Sequence, residues 1–277
     1  MKKIIVPVDF SEHSDYAMEV AASLAKVYNA EILALHMLEI SDTLVSASAV
    51  RDYSENLFFM KMAKKRFEEF LDKEYLKGVQ VTDIVQYHKV FSEVNETAIK
   101  HDADLIVMGS HGASGVKEFL IGSNAEKVVR HAEIPVLIIK KRIPDFSIKK
   151  VLFASDFDIN GVSGFIKAQL FFKKMDVETK LLYVNTPYDD FKNTDEINTK
   201  ITYFLNKAGE DPGRIKDVDI RNDYTIERGI LNYGNQEKVD LIVIPTHGRK
   251  GISHFFAGSI GEDVANHAKI PVMTFKI

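Results

Sequence analysis

The chain has 277 residues, 45% of them hydrophobic and 27% charged, with a formal net charge of −4 and no cysteine. That balance suits a folded chain of one large or two ordinary domains. It lacks the positive field that draws nucleic acid or an anionic membrane, and it excludes disulfides, thiol nucleophiles and cysteine-ligated metal. The opening MKKIIVPVDF has only five uncharged residues between Lys3 and Asp9, far short of a signal peptide's apolar region, and no segment approaches the ~18–20 apolar residues of a membrane span. The expectation is a cytoplasmic protein with neither nucleic acid nor membrane as partner.

In chain order, residues 3–8 form a short continuous apolar run, as in a strand buried on both faces. Ser11 or Ser14 is placed to cap a helix running through Leu24, with Ala17, Val20, Ala21 and Leu24 at helical spacing. A strand over 31–38 follows, then a helix over 57–76 whose Met60, Ala63, Phe67 and Phe70 make one apolar stripe, best read as core. The mixed charges of 61–74 read as its solvated face. A strand over 82–90, a helix over 93–101, a strand over 105–108, a helix over 123–131 and a strand over 135–139 complete the first half. Alternation of strand and helix with apolar strands predicts a parallel sheet covered on both faces, with ligands bound beyond the strand carboxyl ends.

The pattern is then written again. KIIVPVDF (3–10) is echoed by KVLFASDF (150–157), ADLIVMGSHG (103–112) by VDLIVIPTHG (239–248), and EIPVLIIK (133–140) by KIPVMTFK (269–276). Three matches in the same order make a duplication. The second copy is 11 residues shorter between its first strand and its glycine loop and keeps register thereafter. The polar, proline-bearing stretch 141–149 is the expected seam, giving domains 1–144 and 145–277.

The chemistry concentrates at 109–124. Gly109 ends a strand and Gly112 lies three residues on, so both permit unusual backbone angles and close approach of a ligand to the main chain. Gly122 and Ser123 open a helix, where free N–H groups and the positive end of the dipole favour an anion. A ligand-free reading stands beside this: Ser123-Asn-Ala-Glu126 spells a capping box, repeated at Ser259-Ile-Gly-Glu262. Asp9 and Asp156 are either caps for the next helix or acceptors for a sugar hydroxyl or base edge. His111 and His247 are either turn residues or donors to an anion, and neither has the partners of a nucleophilic triad. The phosphate-binding G-x-x-x-x-G-K-[ST] loop and the G-x-G-x-x-G, H-E-x-x-H and G-x-S-x-G motifs are absent.

These residues resemble the universal stress protein family, in tandem form. Gly109-Ser-His-Gly112, nine residues, then Gly122-Ser123 matches that family's ATP-binding pattern, and VPVDFS at 6–11 fits its opening. The resemblance implies two tandem α/β domains, each a doubly wound parallel five-stranded sheet flanked by helices, Rossmann-like and similar to the adenine nucleotide alpha-hydrolases. It implies an intramolecular pseudo-dimer through the last strands, 135–140 and 271–277, and allows a homodimer. It places Asp9 at the adenine or the adjoining pocket, the main chain near Met108 and Gly109 at the ribose, and Gly112, Gly122, Ser123 and Asn124 about the phosphates of ATP, AMP or ADP, with Mg; Val8, Met37 and His111 are further candidates for the nucleotide site. In the second half Asp156, Val184, His247, Gly248, Gly258, Ser259 and Ile260 are the corresponding candidates, but Pro245 stands where the first glycine belongs. Proline lacks an N–H and restrains Ile244, which argues against that site, while Arg249 and Lys250 add positive charge to it. The implied function is ATP-linked signalling in the stress response without enzymatic turnover as its main purpose. The alternative is an interaction protein with relic glycine loops.

Overall fold

The computed structural model describes residues 1–38, 49–87, 90–111, 122–187, 191–246 and 260–277, and the side chains within these apart from those of 49–57, 87, 90–92 and 260–262. The described residues up to Phe146 form one compact unit and those from Ser147 onward a second.

In the first unit the order is β1 (Lys3–Pro7), α1 (Glu12–Tyr28), β2 (Glu31–Leu38), α2 (Ala49–Leu71), β3 (Val81–Tyr87), α3 (Val90–Lys100), β4 (Leu105–Gly109), α4 (Ser123–His131) and β5 (Val136–Ile139). The strands lie in the order β3-β2-β1-β4-β5, every described pair parallel. The middle of β1 and of β4 is buried, as the continuous apolar runs require of strands covered on both faces. The chain winds outward from β1 through β2 to β3, then returns to β4 on the other side. That reversal opens a crevice at the carboxyl ends of β1 and β4.

Helix α1 is fixed at both ends. Ser11 caps it, accepting from the Ser14 N–H at 3.3 Å, and Asn29 closes it in the left-handed conformation at φ 51°. Its buried alanines, Ala17, Ala21, Ala22 and Ala25, let it lie close on the sheet. In α2 the stripe Ala63, Phe67 and Phe70 is buried while Lys61, Lys64, Lys65 and Arg66 are exposed. This helix begins earlier than the apolar stripe implies and stops at Leu71; a 3-10 turn, Glu74–Leu76, supplies the rest after Lys73 turns extended. The strand expected to reach Val90 ends at Tyr87, because Val90 already opens α3.

The second unit repeats the plan: β6 (Lys150–Ala154), a 3-10 turn (Ile159–Gly161), α5 (Val162–Lys173), β7 (Glu178–Asn185), α6 (Thr194–Lys207), β8 (Val218–Asn222), α7 (Ile226–Glu237), β9 (Leu241–Thr246), α8 (Ile260–His267) and β10 (Val272–Lys276). Its strands lie β10-β9-β6-β7-β8, again parallel. Its core is more aromatic: Phe153, Phe165, Phe204 and Phe157 stack edge to face in a chain with centroids 5.2 to 5.3 Å apart. Most of the missing residues fall between the second and third strands, where α2 has 23 residues and α6 has 14.

One repeated dipeptide has a purely architectural use. Asp104 accepts from the main-chain N–H groups of Lys2 and Lys3, and Asp240 accepts in the same way from Lys149 and Lys150. The aspartate of each DLIV echo thus pins the start of its unit's first strand. Phe10 and Phe157 repeat as well, both with positive φ, 63° and 52°, which side-chain residues seldom adopt.

Candidate functional site

The crevice at the switch point holds a cavity of about 470 Å³. Every candidate residue of the first half lines it except Gly112, which lies outside the described residues. The ends of β1 and β2 bring Val8, Asp9 and Met37; β4 and the turn after it bring Met108, Gly109 and His111; the start of α4 brings Gly122, Ser123 and Asn124. One end is therefore apolar and the other is built of main chain and small polar groups.

The polar end depends on how α4 starts. Its cap is Gly122, extended at φ −61° and ψ 148°, with no side-chain bond to the first turn. The capping box expected at Ser123–Glu126 does not form. The Gly122 carbonyl already accepts the Glu126 N–H at 3.0 Å, which makes Ser123 the first helical residue, and the Glu126 carboxylate turns to Arg130 at 2.7 Å. Gly122 offers no side-chain acceptor to the amides of the first helical turn, which border the cavity with the dipole's positive end. The Gly122 N–H itself donates to the Ser110 carbonyl at 2.7 Å, closing the base of the glycine loop.

Asp9 does not cap α1; Ser11 does. The Asp9 Oδ1 accepts from the Ser11 N–H at 3.0 Å and from its hydroxyl at 2.5 Å, so the carboxylate shapes the turn while standing at the cavity rim. In the second unit the Asp156 Oδ1 accepts from the Asp158 N–H at 3.0 Å.

Gly109 serves helix packing as well as lining the cavity. A Cβ there would lie 2.7 Å from the carbonyl oxygen of His13 and 2.8 Å from its carbonyl carbon, both main-chain atoms of α1. Glycine is what lets α1 approach β4 so closely.

Three cavity residues carry no distinguishing sequence pattern. Ser14 is buried and its hydroxyl donates to the Ser11 carbonyl at 2.9 Å. Ser110 is buried, and its hydroxyl stands 2.9 Å from the His111 Nδ1. His36 sits with Nδ1 2.7 Å from the Val8 carbonyl oxygen and its ring 4.5 Å from that of Phe10. A carbonyl partner requires an Nδ1 donor, and burial lowers the His36 pKa, which favours the neutral ring. Over the other face of this cluster, the Arg66 guanidinium lies 4.5 Å from the Phe10 ring centre.

The corresponding place in the second unit is arranged otherwise. Val184 meets α7 at Gly229, where a Cβ would stand 2.6 Å from the Val184 Cγ1. Asn185 is buried and clamps the following loop, accepting from the Lys192 N–H at 3.1 Å and donating to the Lys192 carbonyl and the Asn222 Oδ1. Pro245 occupies β9, opposite Phe275 of β10. The Ile242 N–H donates to Pro271, ahead of β10, so alternation along β9 points the nitrogen of position 245 to the β6 side. The last described β6 pair there is Phe153 with Val243, so proline forfeits no ladder bond. His247, Gly248, Gly258 and Ser259 lie outside the described residues, as does the side chain of Ile260.

Among the described residues no helix is long and apolar enough to cross a membrane. No group of three His, Cys, Asp or Glu among them is arranged to hold a metal ion.

Known proteins match in the same two-part way. Curated relatives include a universal stress protein of Methanocaldococcus jannaschii, 35% identical over 153 residues, which span 50% of this chain and 82% of that protein. Universal stress protein G of Escherichia coli O157:H7 is 35% identical over 144 residues, 50% of this chain and 99% of its own. Among solved structures, a universal stress protein from Archaeoglobus fulgidus DSM 4304 superposes with a TM-score of 0.71 at 22% identity, covering 99% of this chain and 98% of that one, which shows a shared fold along the full length. The model of the universal stress protein family matches residues 1–140 and again 147–276, and with the two α/β units described above this shows that the chain is a tandem, two-domain member of that family.

Proposed function

We propose that the first unit holds an adenine nucleotide, ATP, ADP or AMP, with any Mg carried on its phosphates. The protein then acts in the stress response through a ligand-dependent conformation or partner contact, with no turnover as its purpose. The observation that carries this reading is the two-ended cavity: apolar at Val8, Met37 and Met108, and closed by an uncapped helix start at Gly122 to Asn124. Its volume falls in the range of small-molecule sites, roughly 300 to 1,000 Å³. The apolar end suits a flat base, Asp9 stands where a sugar hydroxyl could be bound, and the helix amides suit phosphate oxygens.

For the second unit we infer that no nucleotide binds in this manner. Val184 and Asn185, which stand at the places of Met37 and Leu38, are covered by α7 and by the Lys192 loop. The domain limits 1–144 and 145–277, a cytoplasmic location and pairing of the two last strands within one chain belong to the same reading. Expression of each half alone tests the pairing, since an isolated half should then associate with a second copy.

Isothermal titration of the purified protein with ATP, ADP and AMP, together with mass spectrometry of any small molecule released on denaturation, tests the main claim. The expected result is an adenine nucleotide at one site per chain, with binding retained in Ser259→Ala and lost in Gly112→Leu. Failure of all three nucleotides to bind overturns it.

A further inference from the structure

Two imidazoles meet beside the polar end of the cavity. His13 is the second residue of α1 and His111 follows β4, and the close approach that Gly109 permits brings their ring centres to 5.1 Å with planes tilted by 52°. His111 lines the cavity next to the uncapped start of α4, while His13 stands behind it. The Tyr16 ring lies 5.8 Å from that of His13, with the phenol bonded to Glu12.

The charged groups around His13 oppose one another. Burial and the neighbouring His111 lower its pKa, and these outweigh the carboxylates of Glu12 and Asp9, which raise it. Asp9 is already engaged by Ser11, and Glu12 by Tyr16. Two imidazolium ions at this separation would repel, which adds to the effect of burial in keeping a proton off His13. An anion beside His111 reverses that balance, because it stabilises the first imidazolium and screens it from the second.

We propose that the His13–His111 pair makes the phosphate end of this cavity a proton-linked charge reader, which favours the more highly charged polyphosphate, ATP over AMP, as the pH falls. The inference rests on the nucleotide reading above. Because the bound anion favours the protonated rings, binding takes up protons, and affinity is greatest below the imidazole range and declines as the pH rises through it. The uncapped helix amides supply attraction that does not depend on pH; the histidines add the part that does.

The test is calorimetric titration with ATP and with AMP at pH 6, 7 and 8, in buffers of different ionisation enthalpy, on the protein and on His13→Asn and His111→Gln. ATP affinity is expected to rise about five-fold from pH 8 to pH 6 with net proton uptake, and AMP affinity about two-fold. The terminal phosphate of ATP titrates in the same range, so the deciding quantity is the difference between the protein and its variants. Both variants should lose most of the uptake. In parallel, NMR titration of the imidazole C–H signals of the unaltered protein should show both rings shifting to higher pKa with inorganic triphosphate, which keeps the result readable should a variant fold poorly. ATP binding with the same pH dependence in all forms, or ring titrations unmoved by triphosphate, overturns the proposal while leaving the nucleotide reading intact. Absence of binding by ATP, ADP and AMP alike overturns both.

Discussion

At the end of β2 the first unit presents Met37 and Leu38 to a cavity, whereas at the end of β7 the second unit presents Val184 to a helix and buries Asn185 beneath a loop. The strands beneath are equivalent in register, Lys3 opposite Glu31 and Lys150 opposite Glu178. The clamping aspartates, Asp104 and Asp240, are retained. Among the described residues the two halves agree in what builds the sheet and differ in the neighbours of these strand-end side chains. Side chains at strand ends can vary between copies of a sheet, because they lie outside the ladder that holds it together.

The sharpest way to test this contrast is at the two glycines of closest approach. Gly109→Ala sets a methyl against the main chain of α1, which has no rotamer to escape into, and should cost about 2–3 kcal/mol. Gly229→Ala meets only the Val184 side chain, which can turn, and should cost about 1 kcal/mol. Calorimetric melting of the two variants measures the order; a larger loss at Gly229 would contradict it. Gly109→Ala should also weaken nucleotide binding, and Gly229→Ala should not.

A smaller effect is expected from Asn185→Leu. It deletes the partner of the Lys192 N–H and carbonyl and should destabilise the second unit by about 1–2 kcal/mol. Nucleotide stoichiometry should stay at one per chain. A rise to two would mean that the asparagine clamp was all that closed the second site.

The smallest effect concerns acid. Burial lowers the pKa of His36 and of His13 in the folded first unit, so the unfolded chain binds those protons more readily. Their contribution to stability is complete above the ordinary histidine range near 6.5 and is lost as the pH falls below it. The melting temperature of the first unit should drop by roughly a few degrees from pH 7 to pH 5, and His36→Phe should flatten part of that slope. An unchanged slope in the variant would show that His36 binds its proton equally well in the folded and unfolded chain.

Much of this architecture is legible in one sequence, and the exceptions have physical reasons. The strand at 31–38 and the helix at 123–131 have the limits their patterns predict. The run ending at Val90 does not, because a short apolar stretch reads alike as the end of a strand or the first turn of a buried helix. The S-x-x-E pattern at Ser123 failed for a local reason: a box needs the serine outside the helix, and Gly122 had already taken that place. The full reciprocal box forms instead at Asn193 and Glu196, both of its bonds present. His36 and His13 could not have been picked out by spacing, since their positions depend on a left-handed Phe10 and on a missing Cβ at Gly109.

Phe10 and Phe157 lend the duplication one more use. Holding a phenylalanine at positive φ stores about 1–3 kcal/mol of strain, which persists only where the surroundings enforce it. Here the ring is repaid by aromatic company: Phe67 and Phe70 around Phe10, Phe204 around Phe157. The strained residue occurs at the same corner in both units, after β1 and after β6. A feature common to both units belongs to folding, so the bent aromatic is a hinge pin of the strand-to-helix corner.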